Sequence, residues 1–179
     1  MEHSLALPSL PHTRRRPGLD VEALYRSSHA DVYAYVATLL RDRGAAEDVT
    51  ALAFERALRK QRSYRPGRGS ERAWLFGIAR NAALDELRRR RRGAALAAEP
   101  ADAQATSVAD TAQAGVERLA VRAALATLEP RDREIVALKF HAGLGNAELA
   151  QVLGTTTSNA GTLVHRALQR LREACHDVR

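Results

Sequence analysis

The residues best suited to chemistry lie in two distant stretches. The first, RAWLFGIARNAALDELRRRRR from Arg72, ends in five consecutive arginines, 88–92, and carries Asn81, Asp85, Arg88 and Arg92 at steps of four, three and four. On a helix those steps align the four side chains along one side. Arginine forks suit phosphate, and five in a row exceed what is needed to complement a helix C-terminus, so salt-sensitive nucleic-acid binding is the expected chemistry for Arg88, Arg89 and their neighbours. The bland alternative is a solvated helix end. Just ahead stand Tyr64, Arg65, Arg68 and Gly69. A loop with cations for the backbone and an aromatic surface for a base can hold an extruded nucleotide, although it can equally be an exposed turn.

The second stretch, NAELAQVLGTTTSNAGTLVHRALQRLR from Asn146, has the form of a helix, a glycine turn and a second helix. In that arrangement the first helix braces and the second enters the major groove. Leu149, Ala150 and Leu153 would brace. Ala160, Val164, Ala167, Leu168 and Leu171 would face inward, leaving Ser158, Asn159, Thr162, His165 and Arg166 toward DNA. Asn pairs with adenine and Arg holds guanine or phosphate, whereas Ser and Thr discriminate poorly, so modest base readout is expected. Packing alone is the competing reading of this hairpin, and His165 can be a plain surface histidine.

Helices must position these groups. Residues 20–40 place Val21, Leu24, Ser28, Val32, Val36 and Leu39 at helical steps, and Asp42 can cap a second helix with Val49, Ala53 and Ala57 on one side. Pro66, Gly67 and Gly69 interrupt, and Ser70 is placed to cap a third helix running to the arginines, with Trp74, Leu75, Ile78, Ala79 and Ala82 inward. Trp74 suits a core position, with base stacking as its alternative role. Beyond residue 112, helices are expected at 119–128, from about 131 to 141, at 146–153 and at 157–173, with Thr155 or Thr156 capping the last. No strand-like alternation competes. The expected fold is all-α: two small helical domains joined by a flexible linker, the second containing a helix-turn-helix.

Charge supports this division. The chain has 179 residues and a formal net charge of +7. Residues 1–92 hold 19 Lys or Arg against 11 Asp or Glu; residues 93–112 hold three acids and no base; the remainder holds 9 against 7. The expected organisation is a tail at 1–18, a first domain at 19–92, an acidic alanine-rich linker at 93–112 and a second domain at 113–179. The single Cys175 excludes an internal disulfide, and no apolar run suggests membrane insertion, so a cytoplasmic location is expected. Paired acids in a pocket-like setting, a phosphate-cradling glycine loop and histidines at ligand spacing are all missing from the sequence pattern. Hence no catalytic residue, metal or cofactor is expected.

Taken together, AEDV at 46–49, FERAL at 54–58, the Arg72 stretch and the terminal ALATLEPRDREIVALKF through LVHRAL resemble the extracytoplasmic-function (ECF) sigma factors, compact bacterial transcription-initiation subunits. The likeness spans 24–173 with both blocks in family order. It implies that Asp48, Val49, Leu52 and Phe54 meet the clamp helices of the RNA polymerase core. Tyr64, Arg65, Arg68, Gly69, Asn81, Asp85, Arg88 and Arg89 would engage and melt the promoter's minus-ten element, single-stranded once opened. Ser158, Asn159, Thr162, His165 and Arg166 would read the minus-thirty-five duplex, and an anti-sigma factor would hold both domains. The pattern departs from the family at Ala51, Leu52 and Ala53, where polar polymerase contacts are usual, and at Gly161 and Leu163, where basic residues are usual. A stand-alone helix-turn-helix regulator that does not productively bind polymerase is the alternative these departures raise.

Overall fold

The computed structural model describes residues 19–97 and 114–177. The expected tail and most of the expected linker lie outside them. Helix α1 (Val21–Leu40) opens where Asp20 accepts a hydrogen bond from the Ala23 amide at 2.9 Å, and α2 (Arg43–Lys60) opens the same way, with Asp42 accepting from Ala45 at 3.0 Å. Each carboxylate satisfies an amide that has no partner within the helix. Only Arg41 and Asp42 separate the two helices, so α2 folds straight back on α1. Arg41 makes that corner in the left-handed region, at φ 55°.

Helix α3 (Glu71–Ala97) packs on both, Ser70 accepting from the Ala73 amide at 3.1 Å. The three helices meet through small residues: Ala46, Ala53, Ala57, Ala73, Ala79, Ala82 and Ala83 are all buried, which brings the backbones close. Larger groups fill the remainder, Tyr35 standing edge-on to Phe76 at 5.6 Å between centroids. α3 continues five residues beyond its expected end at Arg92. The GAALA sequence carries it, because alanine is the best helix former and a single Gly93 costs only about 1 kcal/mol. The first part of the expected linker is therefore helix.

The second unit comprises α4 (Ala114–Thr127), α5 (Pro130–Phe140), α6 (Asn146–Leu153) and α7 (Thr157–Asp177). α4 begins five residues earlier than its apolar pattern suggested. Pro130 starts α5, where a missing amide costs nothing. Gly145, not Asn146, occupies the cap position of α6, and the Glu148 carboxylate accepts from its amide at 3.1 Å. Gly154 turns the chain at φ 68°, and Thr156 caps α7 by accepting from Asn159 N at 3.2 Å. Among the described residues every regular element is helical apart from short turns, and no helix is long and apolar enough to cross a membrane.

The two units are packed on each other. Four successive residues of α5, Ile135, Val136, Ala137 and Leu138, are buried because α5 lies between α1 and α7; α6 likewise meets α3. A helix covered on several sides reads as apolar around its circumference. The expectation of two modules linked only by a flexible connector thus omitted a shared interface.

Candidate nucleic-acid interface

The loop between α2 and α3, the first turns of α3 and two residues of α6 line an open hollow of about 480 Å3. Tyr64 stands edge-on to Trp74, centroids 5.7 Å apart, and its hydroxyl donates to Gly69 O at 3.1 Å, closing the loop on itself. Burial and the nearby Glu71 carboxylate both raise the Tyr64 pKa, which keeps the phenol a donor at neutral pH. Lys60, Arg65, Arg68 and Asn81 join the lining. Arg65 is braced by donating to Arg62 O at 2.8 Å. The result is a half-apolar hollow with aromatic walls and cations around it, suited to a flat base with its phosphates outside. Of the residues expected for this role, Tyr64, Arg65, Arg68, Gly69 and Asn81 are brought together.

The others stand apart. Asp85 accepts from Arg56 at 3.3 Å and from Arg88 at 3.2 Å, so its carboxylate is engaged by two guanidinium groups. Arg89 is also occupied: Nε and Nη2 both donate to Glu86, at 2.8 and 3.0 Å. Arg90 spans Glu86 at 2.8 Å and Asp42 at 2.9 Å, tying α3 to the start of α2. These bonds pull the Glu86 carboxyl below its ordinary pKa. Thus the arginine run is divided: Arg89 and Arg90 hold the fold's own carboxylates, whereas Arg91 and Arg92 make no ion pair among the described residues. Glu86, buried at the base of the run, was the missed determinant; its (i, i+3) and (i, i+4) spacing to Arg89 and Arg90 was the available signal.

On α2, Asp48 is exposed and Leu52 half-buried, but Val49 and Phe54 are buried. Phe54 lies beneath Tyr25 and His29, with ring centroids 4.8 and 5.9 Å away, so it supports a surface instead of forming it. The exposed apolar groups nearby are Tyr25 and Leu58. Sequence reasoning passed over Tyr25 because the helical stripe of α1 runs through Leu24 and Ser28 beside it.

On α7, Ser158, Asn159, Thr162, His165 and Arg166 are all exposed, opposite buried Ala160, Val164 and Ala167. Asn159 Nδ2 is 2.7 Å from Thr155 Oγ1, which orients the amide beside the turn. Gly161 and Leu163 flank that face, each half-buried. A Cβ on Gly161 would lie 3.3 Å from Asn146 Nδ2, and Leu163 packs partly on the core, so the edges of the outward face carry no charge at these positions.

Two family models match the chain, sigma-70 region 2 over residues 24–93 and sigma-70 region 4 over 118–171, which defines it as a two-region sigma-70-type protein. At 34% identity over 151 residues, it is similar to ECF RNA polymerase sigma factor SigK of Mycobacterium ulcerans, covering 82% of this chain and 80% of that one. The chain belongs to the ECF sigma factor family. SigK of Mycobacterium tuberculosis is 31% identical over 172 residues, covering 92% of this chain and 91% of that one. Among solved structures, the sigma factor RpoE in complex with the anti-sigma factor NepR from Bartonella quintana superposes with a TM-score of 0.74 at 25% identity, over 87% of this chain and 96% of that one. CnrH in complex with the cytosolic domain of CnrY shares the fold, with a TM-score of 0.62 at 22% identity, over 86% of this chain and 85% of that one.

Proposed function

We propose that this ECF sigma factor directs RNA polymerase core to promoters by capturing an unpaired minus-ten base in the hollow between Tyr64, Trp74 and Asn81. The cavity itself carries the reading: a helix-turn-helix can serve any duplex-binding regulator, but a cation-rimmed aromatic hollow serves a base that has left its stack. Arg65 and Arg68 hold the adjoining phosphates. Arg91 and Arg92, with Arg88 where Asp85 releases it, follow the backbone farther along α3. Melting needs no fuel, because captured-base contacts offset an unstacking cost of a few kcal/mol. In this role the chain is a binding subunit and not an enzyme, and it acts in the cytoplasm where polymerase and chromosome meet.

The polymerase core would dock on α2 through Asp48, Leu52 and Leu58, with Tyr25 from α1 extending the apolar part and Val49 and Phe54 fixing it from beneath. Ala51 is exposed there and supplies no polar group, so apolar contact has a larger share in docking. The face of α7 reads the minus-thirty-five duplex. An anti-sigma factor, of the kind bound to the RpoE structure, would compete for the α2 surface. Run-off transcription on fragmented genomic DNA, with core polymerase and with or without this protein, tests the assignment. New starts preceded by two spaced motifs are expected; polymerase binding with no new start on any fragment would refute it.

A further inference from the structure

The cavity that receives the base in this reading is not lined by the first domain alone. Gln151 and Val152 of α6 complete its wall. A Cβ built on Gly69 would fall 2.4 Å from Gln151 Oε1, a side-chain tip that can swing aside, whereas the φ of 130° at Gly69 by itself calls for glycine. One residue on, the Ser70 hydroxyl donates to Glu148 while accepting from the α3 amide it caps. That bond, with the Gly145 amide, holds the Glu148 carboxyl below its ordinary pKa against the opposing effect of burial, so it stays ionised beside the loop.

Two further links fix this placement. Arg72 donates from Nε to Ala142 O at 2.5 Å and from Nη2 to His141 O at 2.7 Å, seizing the end of α5. Arg80 donates from Nε to Glu134 at 2.6 Å, and the side chains are only 22% and 10% exposed. Ser70 and Arg72 stand at the start of α3 and Arg80 farther along it, and Thr38 of α1 adds a contact to His141 at 3.4 Å. The outward face of α7, by contrast, takes no part in these contacts and stays exposed.

We propose that the second domain is a built-in lid on the single-strand cavity: α6 walls one side and narrows its mouth in the free chain while leaving the duplex-reading face of α7 open. A nucleotide entering the hollow meets Gln151 on its wall, and the Glu148 carboxylate, three residues earlier on α6, opposes its phosphate by like charge. The free protein therefore meets duplex first and accepts a single strand only after α6 has lifted. No partner is needed to impose this order. The inference rests on the base-capture reading of the cavity.

A reversible cross-link tests it. In a Cys175→Ser background, Ser70→Cys with Glu148→Cys replaces the bond between loop and lid by a disulfide. Full-length protein, oxidised and reduced, is titrated with a fluorescein-labelled mixed-sequence single-stranded 12-mer and with a labelled mixed-sequence 20-base-pair duplex. Because apparent affinity scales with the fraction of open molecules, the oxidised form should bind the single strand about tenfold or more weaker than the reduced form. Duplex affinity should be the same in both. Gln151→Ala, which leaves every cap intact, should raise single-strand affinity without a cross-link. Equal single-strand binding by the oxidised and reduced forms, or by Gln151→Ala and the unsubstituted chain, overturns the lid. If neither form nor the Gln151→Ala chain binds single strand while duplex binding persists, the base-capture reading itself fails, and the lid with it.

Discussion

Two adjacent arginine pairs of identical composition should behave differently toward DNA. Arg89 and Arg90 are held by Glu86, and Arg90 also by Asp42, whereas Arg91 and Arg92 make no ion pair among the described residues. Each phosphate neutralised on duplex DNA adds about 0.9 to the slope of log affinity against log salt. Converting Arg91 and Arg92 to Gln should therefore reduce that slope by about 1.8. Between 50 and 200 mM salt the wild type should lose about 12-fold more affinity than the double variant. Arg90→Gln should leave the slope unchanged. It removes bonds to two carboxylates from a side chain 34% exposed; discounted for solvent screening, the cost is about 1 kcal/mol. In a chain of this size that corresponds to a melting temperature about 2–4 °C lower. Fluorescence anisotropy with a labelled 20-base-pair duplex across the salt series, paired with thermal unfolding, reads both effects. If Arg90→Gln flattens the slope as much as the double variant does, the division of the run by Glu86 is wrong.

The remaining expectations concern single positions. Gly161→Ala should stabilise α7 by about 0.5–1 kcal/mol, because the gain in helix propensity exceeds the shift asked of the Asn146 side-chain tip 3.3 Å away, and calorimetry should show a higher melting temperature with duplex affinity unaltered; a lower one would mean that Asn146 cannot yield. Trp74→Ala should weaken single-strand binding by the Gln151→Ala chain by about 1–3 kcal/mol with little effect on duplex, as measured by anisotropy, if the ring is a stacking wall. His141 packs between the domains, 3.4 Å from Thr38 and near Asp31, with Arg72 on its carbonyl; burial lowers its pKa, outweighing the opposite pull of Asp31. The neutral ring's contribution to closure is thus complete above the ordinary histidine value of about 6.5 and is lost as pH falls through the depressed one. Small-angle scattering should show a more expanded chain at low pH, and His141→Gln should abolish that change; expansion unaffected by the substitution would clear His141 of the role.

The legible parts of the fold were those fixed by neighbours in sequence. Asp42, Ser70 and one of Thr155 and Thr156 were identifiable as caps because a cap and its amide are three residues apart, and the inner faces of α1 and α7 followed from helical steps. The end of α3 was misplaced because glycine and a change of charge suggested a break where the alanines sustain helix. Site residues divided along the same line. Type and spacing sufficed to group the loop residues that line one hollow and the polar residues that share the exposed face of α7, but the engagement of Asp85 by Arg56 depends on a partner 29 positions away. The interface between the domains was least visible. Arg72 looks like any basic residue in a first helical turn, and its partners Asp31 and Ala142 lie 41 and 70 positions away on opposite sides in sequence.

That position of Arg72 has a consequence for how the chain is made. Its guanidinium is anchored within the first domain by Asp31 at 2.6 Å and Ser28 at 3.2 Å, both synthesised before it. At about 5–20 residues per second, the 70 positions separating Arg72 from Ala142 take about 4–14 s to translate. The receiving group can thus be set, with its charge already matched, before the end of α5 leaves the ribosome. Assembly then only brings two backbone carbonyls to a waiting donor, and the newborn protein can be shut by the time its last helix is complete.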